Sequence, residues 1–377
     1  MIPRVLKNEI KKRLYTGKAV IVLGPRQTGK TTLLQSIAED EGDFLLLNCD
    51  DSFIREQLEK TNLQVIRQLI GQSRLVFVDE AQRVKNIGLE LKLITDQIKN
   101  VQLIVSGSSA LELANEINEP LTGRKWEYLL YPVSWGEFCG HFGNLAAMQQ
   151  LEQRLIFGMY PEVINNVGKE IDVLKEIADS YLYKDLLSYK GIRKPELLFK
   201  LLRALSFQVG SEVSYNELSN KLQVDKNTIS NYIDLLEKAF VVFRLQPLSR
   251  NLSNEISTSR KIYFYDNGIR NILINNMNPI DYRNDIGILW ENFLVSERMK
   301  YTHYNGIHAN TYFWRTHQQK EIDYIEERDG RFYAYEFKWS QDKKHIIPSL
   351  FAETYTDVDF EVVHKSNYFN FLGIGSG

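Results

Sequence analysis

Eight consecutive residues could do chemistry by themselves. Gly24-Pro25-Arg26-Gln27-Thr28-Gly29-Lys30-Thr31 has the spacing G-x-x-x-x-G-K-S/T. Its glycines let backbone N–H groups close around phosphate oxygens, and a helix starting near Lys30, with Thr32 in its first turn, adds partial positive charge. Lys30 is expected to reach the β- and γ-phosphates, and the Thr31 hydroxyl to ligate magnesium. ATP with Mg2+ is therefore the expected cofactor set. Leu75–Val78 is an apolar run that ends in two carboxylates, Asp79 and Glu80. Asp79 can hold the magnesium shell, and Glu80 can orient and deprotonate an attacking water. Leu103–Ala110, LIVSGSSA, ends another apolar run in small polar residues. Ser106 or Ser108 could position the water or sense the γ-phosphate, or the segment is a plain turn. Arg124 follows in LTGR, as a charge-stabilising arginine from this subunit or a neighbour, or as a surface residue.

A second set of charges lies near the C-terminus. Glu291 falls on a helical stretch, with Leu289, Phe293 and Leu294 marking its buried side. Asp323 ends Glu321-Ile322-Asp323, and Glu336-Phe337-Lys338 lies on the next strand. With a period of two, Glu336 and Lys338 share a face. Acid, then acid-x-lysine, is similar to the pattern of metal-dependent nucleases of the restriction-endonuclease-like group. Asp323 and Glu336 would hold magnesium, Lys338 would orient the water, and Glu291 would support the metal. A decayed nuclease that keeps its charges as structural ion pairs fits the same residues.

The positioning elements follow from apolar patterning. Residues 4–14 read as an amphipathic helix with Val5, Ile10 and Leu14 on one side. Ala19–Leu23, Phe44–Leu47, Leu75–Val78 and Leu103–Val105 read as buried strands, separated by helices such as Thr31–Ala38 and Gly88–Ile98. That alternation predicts a parallel sheet covered on both faces. Residues 147–205 read as helical, broken near Gly158–Pro161 and Gly191–Pro195. Ser214 and Glu217 form a capping-box pattern, a turn is expected at Gln223–Asp225, and Asn227–Glu237 reads as a second helix. With the apolar tail Val241–Leu245 this suggests a winged helix-turn-helix that presents Lys226, Asn227, Thr228, Ser230 and Asn231 outward. Residues 211–250 are electrically neutral, so a protein-packing role stands beside DNA contact. Strands return at Ile262–Tyr265, Tyr312–Arg315, Ile322–Glu326, Phe332–Trp339 and Phe360–Val363.

GPRQTGKTTLL, VFVDEAQ, SGSSA and LTGR…YPVSWGEF together resemble a prokaryotic AAA-type ATPase family whose C-terminal region has no assigned function. The resemblance continues through GMYPEV (Gly158–Val163), YLYKDL (Tyr181–Leu186), WENFLVSE (Trp290–Glu297) and YEFKWS (Tyr335–Ser340). It implies ATPase roles for Lys30, Thr31, Asp79 and Glu80, and a conserved-in-kind arginine at Arg124, acting in cis or in trans.

The bulk numbers agree. A chain of 377 residues with 44% apolar and 25% charged residues is long enough for two or three globular domains. Net charge is −2, so no global basic field points to nucleic acid or membrane. Two distant cysteines, Cys49 and Cys139, fit a reducing cytosol, and with no signal-peptide pattern a cytoplasmic location is expected. The expected fold class is α/β: an AAA-type core over 1–140, a helical lid or connector over 141–205, a winged helix over 206–255 and a restriction-endonuclease-like module over 256–377. The expected function is ATP hydrolysis coupled to work on DNA or a DNA-associated assembly, by a homo-oligomer. The alternative is a nucleotide-dependent switch or scaffold for protein partners.

Overall fold

The computed structural model describes residues 1–59, 62–107, 117, 119–180, 192, 194–249, 260–316, 318–341 and 346–375. Ser108 and the YLYKDL segment lie outside the described residues. The chain divides into two compact units, one formed mainly by Met1–Val133 and the other mainly by Ser134–Gly377.

The first unit is the expected α/β core. Five strands, β1 (Ala19–Leu23), β2 (Leu45–Asn48), β3 (Leu75–Asp79), β4 (Gln102–Gly107) and β5 (Lys125–Leu129), form a sheet in the order β2-β3-β4-β1-β5. Every pairing in it is parallel. β1, β3 and β4 are buried along their whole length, as continuous apolar strands covered on both faces must be. Helices Lys30–Glu41 and Ile87–Gln97 agree with the expected positions to within a few residues. The N-terminal helix is shorter than the expected 4–14. It runs over Leu6–Lys11 and buries Leu6 and Ile10, whereas Val5 is exposed. β5 has no counterpart in the sequence reading, because an edge strand reading KWEYL offers no buried apolar run.

The second unit opens on a full capping box, in which Ser134 and Glu137 cap the helix Trp135–Phe142. Helices Asn144–Phe157, Pro161–Asn165, Glu170–Ile177 and Pro195–Phe207 follow. The two-helix turn is present: Tyr215–Leu222, a left-handed Gln223, then Lys226–Lys238. Seven strands, β6 (Glu212–Val213), β7 (Val242–Pro247), β8 (Arg260–Phe264), β9 (Asn310–Arg315), β10 (Glu321–Arg328), β11 (Arg331–Phe337) and β12 (Val358–Val363), form one sheet ordered β12-β11-β10-β9-β7-β8-β6. β7 and β8 pair antiparallel, and β7 joins β9 in parallel at Gln246–Tyr312 and Pro247–Phe313. The sheet thus runs unbroken from the strands beside the two-helix turn to the C-terminal strands.

Helix Ile286–Tyr304 contributes Trp290, Phe293 and Leu294 to the core of this unit. The Trp135 ring meets Phe293 edge-on at 5.4 Å and stacks on Phe138 at 5.4 Å. Asn292 imitates a strand neighbour: its Oδ1 accepts from Phe264 N–H at 2.8 Å and its Nδ2 donates to Phe264 O at 3.1 Å. No helix among the described residues is long and apolar enough to cross a membrane.

Candidate functional site

The phosphate-binding pattern lies where the mechanism requires, between β1 and the helix Lys30–Glu41. Backbone geometry explains its glycines. Gly24 has φ +151°, and a Cβ there would lie 2.2 Å from Leu130 O. Gly29 caps the helix at φ +88°. Between them Gln27 adopts the left-handed region at φ 59°. Pro25 and Thr28 are buried, Arg26 is half-buried, and Thr31 and Thr32 are exposed at the start of the helix. The buried Thr28 hydroxyl donates to Pro25 O at 2.9 Å, which tightens the loop.

Lys30 is 5% exposed and donates to Gly24 O at 3.0 Å and to Pro25 O at 2.7 Å. Its ammonium is therefore held inside the loop that the backbone N–H groups surround. Arg4 braces the same loop, donating to Thr28 O at 2.7 Å and to Tyr131 O at 2.6 Å. The sequence reading missed Arg4. Its only signal was a basic residue at the start of the expected amphipathic helix, and its partners lie 24 and 127 residues away.

β4 lies between β1 and β3, so Ser106 at its end stands between Lys30 and the acids of β3. The Thr31 hydroxyl donates to Asp79 at 3.1 and 3.0 Å. Ser106 donates to the same carboxylate and accepts from Glu80 N–H at 3.1 Å. Glu80 is held at φ 53°, a left-handed conformation that costs a non-glycine residue about 1 kcal/mol or more. Its carboxylate accepts a hydrogen bond from Gln82. One carboxylate, one hydroxyl and the oxygens of a bound polyphosphate are the hard donor set that suits magnesium. Cys49 lies beside this site, its N–H donating to Asp79 O at 3.0 Å. Burial, helped by Asp79, pushes its thiol up to about 12, so it stays protonated.

Arg124 is not brought to these residues. It precedes β5, and its carbonyl accepts from Ala19 N–H at the start of β1. The length of β1, about 16 Å at ~3.3 Å per residue, separates that edge from the phosphate loop. Arg124 instead pairs with Asp96 at 2.8 Å. A cavity of about 770 Å³ at this edge is rimmed by Lys18, Arg67, Arg74 and Lys99. Two of these cations face helix C-terminal carbonyls: Arg67 donates to Gln97 O at 2.9 Å and Lys99 to Thr95 O at 3.5 Å.

In the second unit Lys226, Asn227 and Asn231 are exposed at the start of their helix, while Thr228 and Ser230 are half-buried. The Thr228 hydroxyl is committed to Asp225 at 2.6 Å.

The four C-terminal candidates lie in one neighbourhood. Lys338 Nζ meets Glu336 Oε1 at 2.7 Å, as the shared strand face requires. Asp323 Oδ2 accepts from Phe337 N–H at 2.8 Å, and Glu291 Oε1 accepts from the Tyr263 hydroxyl at 2.7 Å. The sequence reading missed Lys261, which reaches Glu321 at 2.5 Å, Glu291 at 3.1 Å and Asp323 at 3.8 Å. Burial pushes the Glu291 carboxyl up to about 7, against the pull of Lys261. Burial also raises Asp323 and Glu336, the latter further through its neighbour Asp323.

Comparison with known proteins divides along the chain. Residues 16–139 match an AAA domain family, 148–279 match a domain of unknown function (DUF8612), and 286–369 match another (DUF4143). An uncharacterized protein of Mycobacterium tuberculosis is 27% identical over 87% of this chain and 72% of its own length. One of Haemophilus influenzae is 26% identical over 66% of this chain and 68% of its own. Among solved structures, a Walker-type ATPase of Pyrococcus abyssi superposes with TM-score 0.51 at 15% identity, covering 73% of this chain and 96% of its own.

Proposed function

We propose that this chain, built on a P-loop AAA-type core, binds ATP with magnesium at Gly24–Thr32 and hydrolyses it to drive work on DNA or a DNA-associated assembly. The observation that carries the ATPase reading is the Thr31 hydroxyl held 3.0 Å from the Asp79 carboxylate, one residue from the buried Lys30. Lys30 exchanges its contacts with the Gly24 and Pro25 carbonyls for phosphate oxygens, while the loop N–H groups and the helix start bind the remaining charge. Thr31 and Asp79 are the residues that would hold magnesium, which supplies charge neutralisation at the phosphates. Ser106 fixes the Asp79 carboxylate and the Glu80 backbone together. Glu80 orients the attacking water and accepts its proton, and its Gln82 bond aims the carboxylate.

DNA is supported by the two-helix turn with exposed Lys226, Asn227 and Asn231, which we read as a winged helix. A homo-oligomer follows if Arg124 serves catalysis, since its position at the far edge of the sheet leaves only a neighbour's phosphates in reach. The second reading, a nucleotide-dependent switch for protein partners, is favoured by the neutral charge of residues 211–250. ATPase rates with and without single-stranded, duplex and branched DNA test both, for wild type and Lys30→Ala. Stimulation by DNA supports the first reading. DNA-independent turnover that Lys30→Ala abolishes supports the second. Turnover unaffected by Lys30→Ala rejects the site. Mixing Arg124→Ala with Glu80→Gln subunits tests the neighbour: regained activity requires an arginine supplied in trans.

A further inference from the structure

Two carboxylates on adjacent strands with a lysine two residues on invite a divalent cation, and the restriction-endonuclease-like pattern implies one. The residues do not fit it. Lys261 is 1% exposed, on β8 between β7 and the edge strand β6, and its ammonium reaches Glu321 at 2.5 Å, Glu291 at 3.1 Å and Asp323 at 3.8 Å. A divalent ion would have to approach the same oxygens to about 2.0–2.6 Å. It would then share a low-dielectric space with a fixed positive charge that cannot withdraw to solvent. Three carboxylates of the neighbourhood also take other hydrogen bonds. Asp323 Oδ2 takes the Phe337 N–H, Glu291 Oε1 takes the Tyr263 hydroxyl, and Glu336 Oε1 takes Lys338. Among the described residues no group of three or more His, Cys, Asp or Glu side chains is disposed to hold a metal.

The ammonium is also secure in its charge. Burial pulls Lys261 towards neutrality, but Glu291, Asp323 and Glu321 more than reverse this and hold it above its ordinary range. Gly210 closes the arrangement from the side. Its N–H donates to Ile262 O at 3.2 Å, and a Cβ there would lie 2.9 Å from Glu291 Oε1. The acids are thus packed by the backbone around a protein cation.

We propose that Lys261 is the built-in cation of this cluster: its ammonium takes the place a divalent metal would occupy, and the C-terminal module is an ion-paired core that binds no metal there and cuts no nucleic acid. The inference is independent of the ATPase reading, because its test omits nucleotide.

The experiment counts bound Mn2+ on the full chain, without nucleotide, by loss of the free-ion paramagnetic resonance signal, with melting temperature as a second readout. Wild type, Asp323→Asn and Glu336→Gln should bind Mn2+ equally, within about twofold. Lys261→Met keeps an unbranched side chain of nearly the same length and removes its charge. It should gain a Mn2+ site about tenfold or more tighter than any in wild type. That site should raise the melting temperature with Mn2+ and vanish in the Lys261→Met, Asp323→Asn double variant. A wild-type Mn2+ site lost in Asp323→Asn would overturn the proposal. So would Mn2+-dependent DNA cleavage lost in that variant, or a folded Lys261→Met with no gain. If Lys261→Met does not fold, the comparison of wild type with Asp323→Asn and Glu336→Gln decides alone: equal binding supports the proposal and loss of one ion defeats it.

Discussion

At the scale of single residues, Glu80 and Asp79 are adjacent in sequence yet differently placed. Asp79 is 6% exposed and locked by Thr31 and Ser106, while Glu80 is turned out by its left-handed backbone. Glu80→Gln should therefore keep ATP affinity and lose turnover by about 10²–10⁴-fold, the usual worth of a positioned general base. Equilibrium binding of a fluorescent ATP analogue beside a phosphate-release assay separates the two effects. Gly24→Ala puts a Cβ 2.2 Å from Leu130 O in a backbone region that favours glycine. It should cost about 1–3 kcal/mol in urea unfolding and weaken nucleotide binding with it. Arg124→Ala removes a half-exposed pair with Asp96 and should cost less than about 1 kcal/mol. The phosphate loop was legible because eight contiguous residues carry all of its chemistry. The sequence left Arg124 open between this subunit, a neighbour and the surface, because its edge of the sheet depends on β5, which the sequence did not announce. Lys261 was overlooked because KIYFY reads only as a strand, and its acidic partners are 30 or more residues away.

At the scale of elements, the segments most specific to the resembled family prove to be packing devices in the second unit. In YPVSWGEF, Ser134 and Glu137 start a helix, and Trp135 N–H donates to the Glu297 carboxylate of WENFLVSE. Glu297 also pairs with Lys300 at 2.6 Å and is 3% exposed. Glu297→Ala should cost about 3–5 kcal/mol, the penalty for breaking a buried pair, while Glu297→Gln costs less because it can still accept from Trp135. Guanidinium unfolding of both variants measures this. In GMYPEV, Gly158 at φ +75° sits where a Cβ would lie 2.0 Å from Asp266 Oδ1, and Met159 N–H donates to Asp266 Oδ2 at 2.6 Å. These motifs bind distant segments together, so their chemistry is visible only after folding. Strands and helices with an apolar period were legible to within a few residues. The edge strand β5 and the joining of β7 to β9 were not, because strand pairing partners leave no local signature.

At the scale of the whole molecule, the buried carboxyls set a pH dependence. Burial raises Asp266, Glu291, Glu297, Asp323 and Glu336 above their ordinary values, while Asp285 is lowered by Arg283 and Arg270 in spite of burial. A raised carboxyl keeps its proton in the native state at a pH where the unfolded chain has lost it. Its contribution is thus complete below its ordinary pKa, near 4, and is lost as pH rises through its folded value. The second unit should therefore resist guanidinium better at pH 5 than at pH 7, and Glu291→Gln, which removes the carboxyl pushed up to about 7, should flatten part of that slope. Four of the five tryptophans, Trp135, Trp290, Trp314 and Trp339, lie in this unit, so fluorescence follows it. The seven-stranded sheet of the same unit has a further property under load. β10 meets β11 over five register pairs, whereas β7 meets β9 over two, Gln246–Tyr312 and Pro247–Phe313, followed by a bond from Leu248 N–H to Phe313 O at 2.7 Å. Tension applied across the sheet would concentrate on that short seam, so in an optical trap the strands flanking the two-helix turn should peel from β9–β12 as the first rupture event, at lower force than the C-terminal strands.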